Sequence, residues 1–384
     1  MESPVLLDSL RGRTRQLLCA ACLLAPALTA GGFEPDATKP KTGLQLPTML
    51  ADASATEPAE SASGEKVDHY QVCAAFRNDP DADLGRVLKA GCEPTLAQMS
   101  ALMDNPIGNV AMMFNQFDSY RMEEPISGRR QTQGNYMALL QFPKKLNSNW
   151  NLINRVVFNV PSAPLEQDDI DDFMDFDYGT GPGNQPLHPP STVLPVDLFG
   201  GRTTGFGDTY YVGLFAPNDP IKLDNGAKLL WGLGFDVGLD TASEDILGTG
   251  KYTAGPAALG VYMGEVFKGG ALVQHYWDFA GDSDRGDVNM SNIQYLYYWS
   301  LNDTMSIGAG PNILINWEQN SRNRYTVPVG FGINKTFQFG KIPVRIGLEY
   351  YKTVVKPDDI VASDWSVRFY FIPAVPSALF SWMQ

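Results

Sequence analysis

The residue types that most often carry chemistry are scarce here: three histidines and four cysteines in 384 residues. His275 is the only histidine on a stretch with strand patterning, and its neighbours in phase are Val273, Trp277 and Phe279. No serine stands two residues away, so a same-strand pair of nucleophile and base is missing. Its phase points the imidazole towards lipid, an odd place for that group. Gly250-Lys251 lacks the upstream glycine of a phosphate loop, and Gly205-x-Gly207 lacks a third glycine. The expectation is that the protein is not an enzyme.

Carboxylates are the next candidates. The run Leu165-Glu166-Gln167-Asp168-Asp169-Ile170-Asp171-Asp172-Phe173-Met174-Asp175-Phe176-Asp177 holds seven of them and no base. Such a run could bind a hard divalent cation, but a solvated acidic loop accounts for it better. Asp282, Asp284 and Asp287 resemble a calcium loop in composition and miss its ligand spacing. No metal ligand and no cofactor is expected. A net charge of −14 argues against nucleic acid, whose phosphates demand a basic surface.

What remains is a set of polar residues that alternate with apolar ones. In 325–339 one phase is Tyr325, Val327, Val329, Phe331, Ile333, Lys335, Phe337 and Phe339. The other is Thr326, Pro328, Gly330, Gly332, Asn334, Thr336 and Gln338. The stretch 229–239 repeats the pattern, as do Ile293, Tyr295, Tyr297, Trp299 and Trp365, Val367, Phe369, Phe371. Period-two patterning is the mark of strands with unlike faces. The polar phase carries Gly, Asn, Thr and Gln rather than many charges, which suits a lumen better than bulk solvent. Strands are read near 110–119, 133–142, 150–160, 204–216, 227–239, 252–263, 269–280, 290–301, 303–316, 325–338, 343–353 and 364–372. Their lengths meet the roughly 9–11 residues that a tilted transmembrane strand needs.

The connections supply a separate test. Those at 143–149, 264–268, 301–303 and 339–342 are short, and 217–226 is medium. Those at 120–132, 161–203, 240–251, 281–289, 317–324 and 354–363 are longer, and the two kinds alternate. Bacterial outer-membrane barrels pair short periplasmic turns with long extracellular loops and have an even strand number. The fold class expected is therefore an all-β, antiparallel transmembrane barrel of about twelve strands, in the outer membrane of a Gram-negative cell. Aromatics at strand ends (Phe142, Trp150, Trp277, Phe279, Trp299, Trp317, Phe339, Trp365 and Phe371) suit the two lipid interfaces.

Closure would place Arg155, Asn159, Asp236, Gln274, Asp278, Asn292, Gln294, Asn312, Asn316, Asn334, Arg345, Glu349 and Arg368 on the lumen side. Symmetric pairing of the last hairpin sets Glu349 opposite Arg368, as an ion pair inside the barrel. Such groups either set pore selectivity or only hold the barrel's shape, and both readings stand.

Ahead of the barrel, Arg11, Arg13 and Arg15 precede a short apolar run and small residues through Ala30. This describes a signal peptide over 1–30, with acylation at Cys22 a weaker reading because Cys19 sits where a lipobox wants Leu. Residues 31–65 read as a disordered linker and 66–108 as a small helical segment, periplasmic or a plug. Within it Asp83 caps a helix through Ala90, Gly91 ends it, and Pro94 opens a second helix to about Met103. The barrel covers 109–372 and a tail 373–384. Cys73 and Cys92 remain after export, and an even pair in an oxidising compartment favours a disulfide. Closing that loop would contribute about 3 kcal/mol in the chain-entropy account, and the alternative is two reduced structural thiols.

Several segments carry a family resemblance. These are Asn105-Pro106, Val110-Ala111-Met112-Met113-Phe114-Asn115-Gln116 and Asn149-Trp150-Asn151-Leu152-Ile153-Asn154-Arg155. Gly207-Asp208-Thr209, Leu230-Trp231-Gly232-Leu233-Gly234, Leu247-Gly248-Thr249-Gly250-Lys251 and Ala254-Gly255-Pro256-Ala257 follow in order. His275-x-Trp277-x-x-Ala280-Gly281-Asp282-Ser283-Asp284-Arg285 completes the set. Over about 105–372 the chain resembles the outer-membrane barrels grouped as phenol meta-pathway degradation (MetA-type) proteins, often labelled transporters. The resemblance implies a channel or transporter for small, often aromatic or apolar, molecules, and it carries over no binding residues. Its expected partners are outer-membrane lipid, a small-molecule solute and the barrel assembly machinery. The alternative is a structural or surface-interaction barrel with acidic extracellular loops. Two features depart from the family: the segment 66–104, and the residues Ile372-Pro373-Ala374-Val375-Pro376 after the terminal aromatic Phe371.

Overall fold

The computed structural model describes residues 69–77, 90–107, 110–125, 128–165, 180–181, 185–186, 199–340 and 342–374. The expected signal peptide, linker, Asp83-capped helix, acidic run from Glu166 and all but the start of the tail lie outside the described residues. The chain divides into two units, and Thr29–Glu93 is the smaller one. That unit holds helix α1 (His69–Arg77) and a disulfide between Cys73 and Cys92, with a Cα–Cα distance of 5.4 Å.

In the larger unit, helix α2 (Leu96–Asp104) precedes the strands among the described residues. Thr95 caps it, with Gln98 closing a reciprocal capping box, so the helix starts two residues later than Pro94 alone suggests. Twelve long strands follow among the described residues: β1 (Met112–Glu123), β2 (Arg130–Lys145), β3 (Trp150–Ala163), β4 (Thr209–Pro217), β5 (Lys228–Leu239) and β6 (Lys251–Met263). Then come β7 (Phe267–Gly281), β8 (Asn289–Asn302), β9 (Met305–Ala309 and Asn312–Asn316), β10 (Tyr325–Phe339), β11 (Ile342–Val355) and β12 (Ala362–Pro373). Each pairs antiparallel with its neighbours in sequence, and β12 pairs back onto β1, so the sheet closes into a barrel.

Each expected strand has its counterpart, with three differences. β9 is one strand in two pieces, because Gly310-Pro311 interrupts the ladder and Pro311 has no N–H to give. β4 starts at Thr209 rather than 204, since Thr203–Thr204 pairs only briefly with β3 at Ser162 and Ala163. β1 and β2 run on to Glu123 and from Arg130, which shrinks the connection expected at 120–132 to six residues. That extension is polar and bound by Glu123 to Arg130 (2.9 Å) and to Lys356 (2.6 Å). Ladders that rise out of lipid into water keep their hydrogen bonds without an apolar stripe, so alternation is blind to them.

The wall is apolar outside and polar inside. Leu233, Phe235, Phe331, Ile333, Leu348 and Phe369 are exposed, while Gln141, Asp236, Thr336, Glu349 and Arg368 are buried. A water-soluble sheet would reverse this, and a lipid-facing band accounts for it. Trp150, Trp277, Trp299, Trp317 and Phe339 are exposed near strand ends, as interfacial rings require. The chain is an outer-membrane β-barrel.

Close strand contact limits what the wall admits. A Cβ on Gly255 of β6 would stand 1.7 Å from the carbonyl oxygen of His275 on β7. The ladder between the two strands has no paired residues at Gly255 and Pro256, while the register is the same on either side, at Ala254–Trp277 and Ala257–Gln274. Gly255→Val is therefore expected to deplete the protein from the outer-membrane fraction while leaving its synthesis unchanged. Wild-type recovery on immunoblots of that fraction would contradict the close approach.

Candidate transport lumen

The barrel encloses a cavity of about 420 Å³. Arg155, Asn159, Gln274, Asn292, Gln294, Asn312, Asn334, Arg345, Glu349 and Arg368 all line it. Asp236 does not; it has no exposed surface and sits within the wall of β5. Asp278 lies towards the long-loop end of β7, where it accepts from the Val288 amide (2.9 Å) and stands 3.7 Å from Lys251. Asn316 ends β9 and accepts from the Glu318 amide (3.1 Å).

Glu349 and Arg368 are opposite one another in the β11–β12 register. Their expected ion pair is not the one that forms. Arg368 Nε donates to Asp118 of β1 at 2.7 Å, and its Nη1 reaches Gly310 O (3.0 Å) and the Tyr351 hydroxyl (3.1 Å). Glu349 accepts instead from the hydroxyls of Tyr298 (2.8 Å), Tyr370 (3.2 Å) and Tyr351. The reason is closure: β12 has a second neighbour, and the register sets Asp118 directly opposite Arg368. Four members of this cluster (Asp118, Tyr298, Tyr351 and Tyr370) were missed. The three tyrosines share the phase of Gln294, Glu349 and Arg368, so parity was a signal that could have found them.

Other polar residues bind one another along the wall. Asn312 donates to Asn292 (2.9 Å), and Gln274 to the Tyr276 hydroxyl (2.5 Å). Asn159 donates to the Asp208 carbonyl (3.3 Å).

Helix α2 packs on the inner wall against β10 and β11. Asp104, on its last turn, is held by Arg345 (2.6 Å) and by Lys268, which also donates to Ser300 (3.0 Å). Ser100 shares a hydrogen bond with Thr336 (3.0 Å), and Arg345 donates to the Ser100 carbonyl (3.0 Å). A carboxylate at a helix C-terminus opposes the helix dipole, and two cations offset that cost. Lys268 and Arg345 each follow a short turn, so the helix occupies the short-turn end of the lumen. Arg345 thus holds this helix rather than standing free at a pore wall.

At the opposite end, three of the segments that carry the family resemblance meet, around Asp208, Thr249 and Arg285. Asp208 accepts from the Thr249 amide (2.8 Å), the Thr249 hydroxyl (2.9 Å) and the Thr241 amide (3.3 Å). Burial pushes the Asp208 carboxyl above its ordinary range, and the Thr249 hydrogen bonds pull against that rise. Arg285 donates to the carbonyls of Asp245 (2.8 Å) and Gly248 (2.6 Å). These bonds tie the β3–β4, β5–β6 and β7–β8 loops together.

His275 faces outward and finds a serine that same-strand spacing could not reveal. Its Nδ1 lies 2.7 Å from Ser291 Oγ on β8, its direct partner in register. Trp317 Nε1 also donates to that hydroxyl (2.9 Å), and the imidazole packs at a tilt against the Trp277 ring, centroids 4.0 Å apart. The group is a polar inset in the aromatic belt.

No family model matches the chain, and no curated protein does. Solved structures do. An outer membrane channel from Pseudomonas putida F1 is 12% identical, with 69% of this chain and 94% of that one covered and a TM-score of 0.45. Outer membrane phospholipase A from Escherichia coli is 9% identical, covering 68% and 90% with a TM-score of 0.36. The NanC porin is 11% identical, covering 67% and 98% with a TM-score of 0.34. The three are a channel, an enzyme and a porin, and no role is taken from them.

Asp104→Leu leaves Lys268 and Arg345 facing one another without their shared carboxylate, a loss of about 3–5 kcal/mol for a buried pair. The helix is expected to leave the lumen in this variant. Single-channel conductance should rise and the 96–104 backbone should become open to protease; unchanged conductance and protection would contradict the latch.

Proposed function

We propose that the protein is a passive outer-membrane channel for small solutes with apolar, in many cases aromatic, bodies. The observation that carries the reading is the mixed lining of the enclosed cavity. Met103, Met112, Phe114, Met137, Leu139 and Leu259 supply apolar surface between the polar clusters. Concave sites that take small molecules combine these two kinds of surface. The alternation of short turns and long loops supports an orientation with the short turns, and so α2, towards the periplasm. The route then runs from the tied long loops, past the tyrosine-bound Glu349, to the helix. Lipid contacts the outer band, and the assembly machinery inserts the barrel.

No catalytic role is assigned to His275. Its hydrogen bond to Ser291, and Trp317's to the same hydroxyl, place the imidazole Nδ1, the serine hydroxyl and the indole N–H in one contact at the lipid interface. The test is planar-bilayer recording of the purified protein. Discrete conductance steps and an effect of small aromatic solutes on them are expected. Silence in the bilayer, together with no solute-dependent growth phenotype, would favour the surface-interaction barrel instead. His275→Ala is expected to leave conductance unchanged and to remove no ester hydrolysis above background.

A further inference from the structure

Among the described residues, three arginines line the cavity, and two are neutralised. Arg345 pairs with Asp104 and Arg368 with Asp118. Arg155 of β3 has neither a carboxylate within 4.0 Å nor a hydrogen bond, and its Nε is buried. A cation at membrane depth without a counter-charge is costly, and such groups mark the path of a ligand or ion. Nothing in the fold needs it: the strand pairs Gln141–Arg155 and Arg155–Val212 are backbone ladders that any residue could make.

Its surroundings define the ligand. Gln141, directly opposite on β2, is buried with its Nε2 likewise without a partner. A guanidinium and an amide N–H side by side present the donors that a planar carboxylate accepts. The flanking positions are apolar. Met112 lies opposite Gln141 and Val212 opposite Arg155, while Leu139 and Val157 are one step along the same faces. Beyond Val212 the register continues to the buried Asp236 of β5, more than 4.0 Å from Arg155. A single cation so placed suits a monoanion with an apolar body, and a more highly charged phosphate would lack a second cation.

We propose that Arg155 and Gln141 form a carboxylate-binding station in the lumen, selecting apolar monocarboxylates over their uncharged counterparts. This rests on the channel reading and adds a substrate class to it. The probes are benzoate and its neutral isostere benzamide, each titrated at pH 8 against the open-channel current. Benzoate should block at lower concentration than benzamide. R155Q should raise the half-blocking concentration of benzoate about tenfold and leave that of benzamide unchanged, the loss of one charged hydrogen-bonded contact. R155K, which keeps the charge without the fork, should fall between.

Equal block by the two probes in the wild type would overturn the station, as would an R155Q titration identical to wild type. Should R155Q fail to insert, Q141L is titrated in its place, with a weaker rise for benzoate expected and no rise overturning the proposal. Equilibrium dialysis of benzoate against the detergent-solubilised protein separates the two readings. Arg155-dependent binding without conductance would keep the station and remove the channel, whereas conductance without benzoate selectivity would do the reverse.

Discussion

The constraint on which the rest depends is that a bilayer offers no water to an unpaired strand edge. Each free N–H or C=O in the hydrocarbon region costs several kcal/mol, so a membrane sheet must close. Here the closing seam is β1 against β12, paired from Asn115–Phe371 to Glu123–Ala362. The Asp118–Arg368 ion pair spans that seam on the inner side, with Arg368 also bound to Gly310 across the lumen. Breaking one partner of such a pair leaves a charge stranded in a low-dielectric interior. Closure and the inner polar network are therefore one arrangement seen from two sides.

That network divides the lumen by function. Around Glu349, three tyrosine hydroxyls and a backbone amide satisfy a buried carboxylate and brace β8, β11 and β12. At the short-turn end, Asp104 recruits Lys268 and Arg345 to hold a helix in the path. The first set is wall-to-wall and serves shape. The second joins the wall to an element made by a separate stretch of chain, and none of its side-chain bonds belongs to the ladder. Arg155 belongs to neither set, which is what singles it out.

Much of the wall was legible because lipid imposes a single rule, apolar outwards, and period-two alternation reports it at every strand. The Glu349–Arg368 register was legible because the last two strands pair symmetrically about their loop. Their expected ion pair was not, because the partner that wins, Asp118, lies some 250 residues away and becomes a neighbour only on closure. Tyr298, Tyr351 and Tyr370 were passed over because tyrosine suits both an interface belt and a lumen, and only phase separates the two. The His275–Ser291 contact was hidden likewise: spacing within a strand says nothing about the strand beside it. The polar extensions of β1 and β2 escaped because water, not lipid, surrounds them.

Closure is most directly tested by migration of the outer-membrane fraction on SDS gels with and without boiling. A closed barrel, its ladders sealed and its seam bridged by Arg368, resists detergent at room temperature. It should run as a compact, faster band unboiled and shift to the position of the fully denatured chain after heating. A single band at the same position in both lanes would contradict the closed barrel and everything built on it.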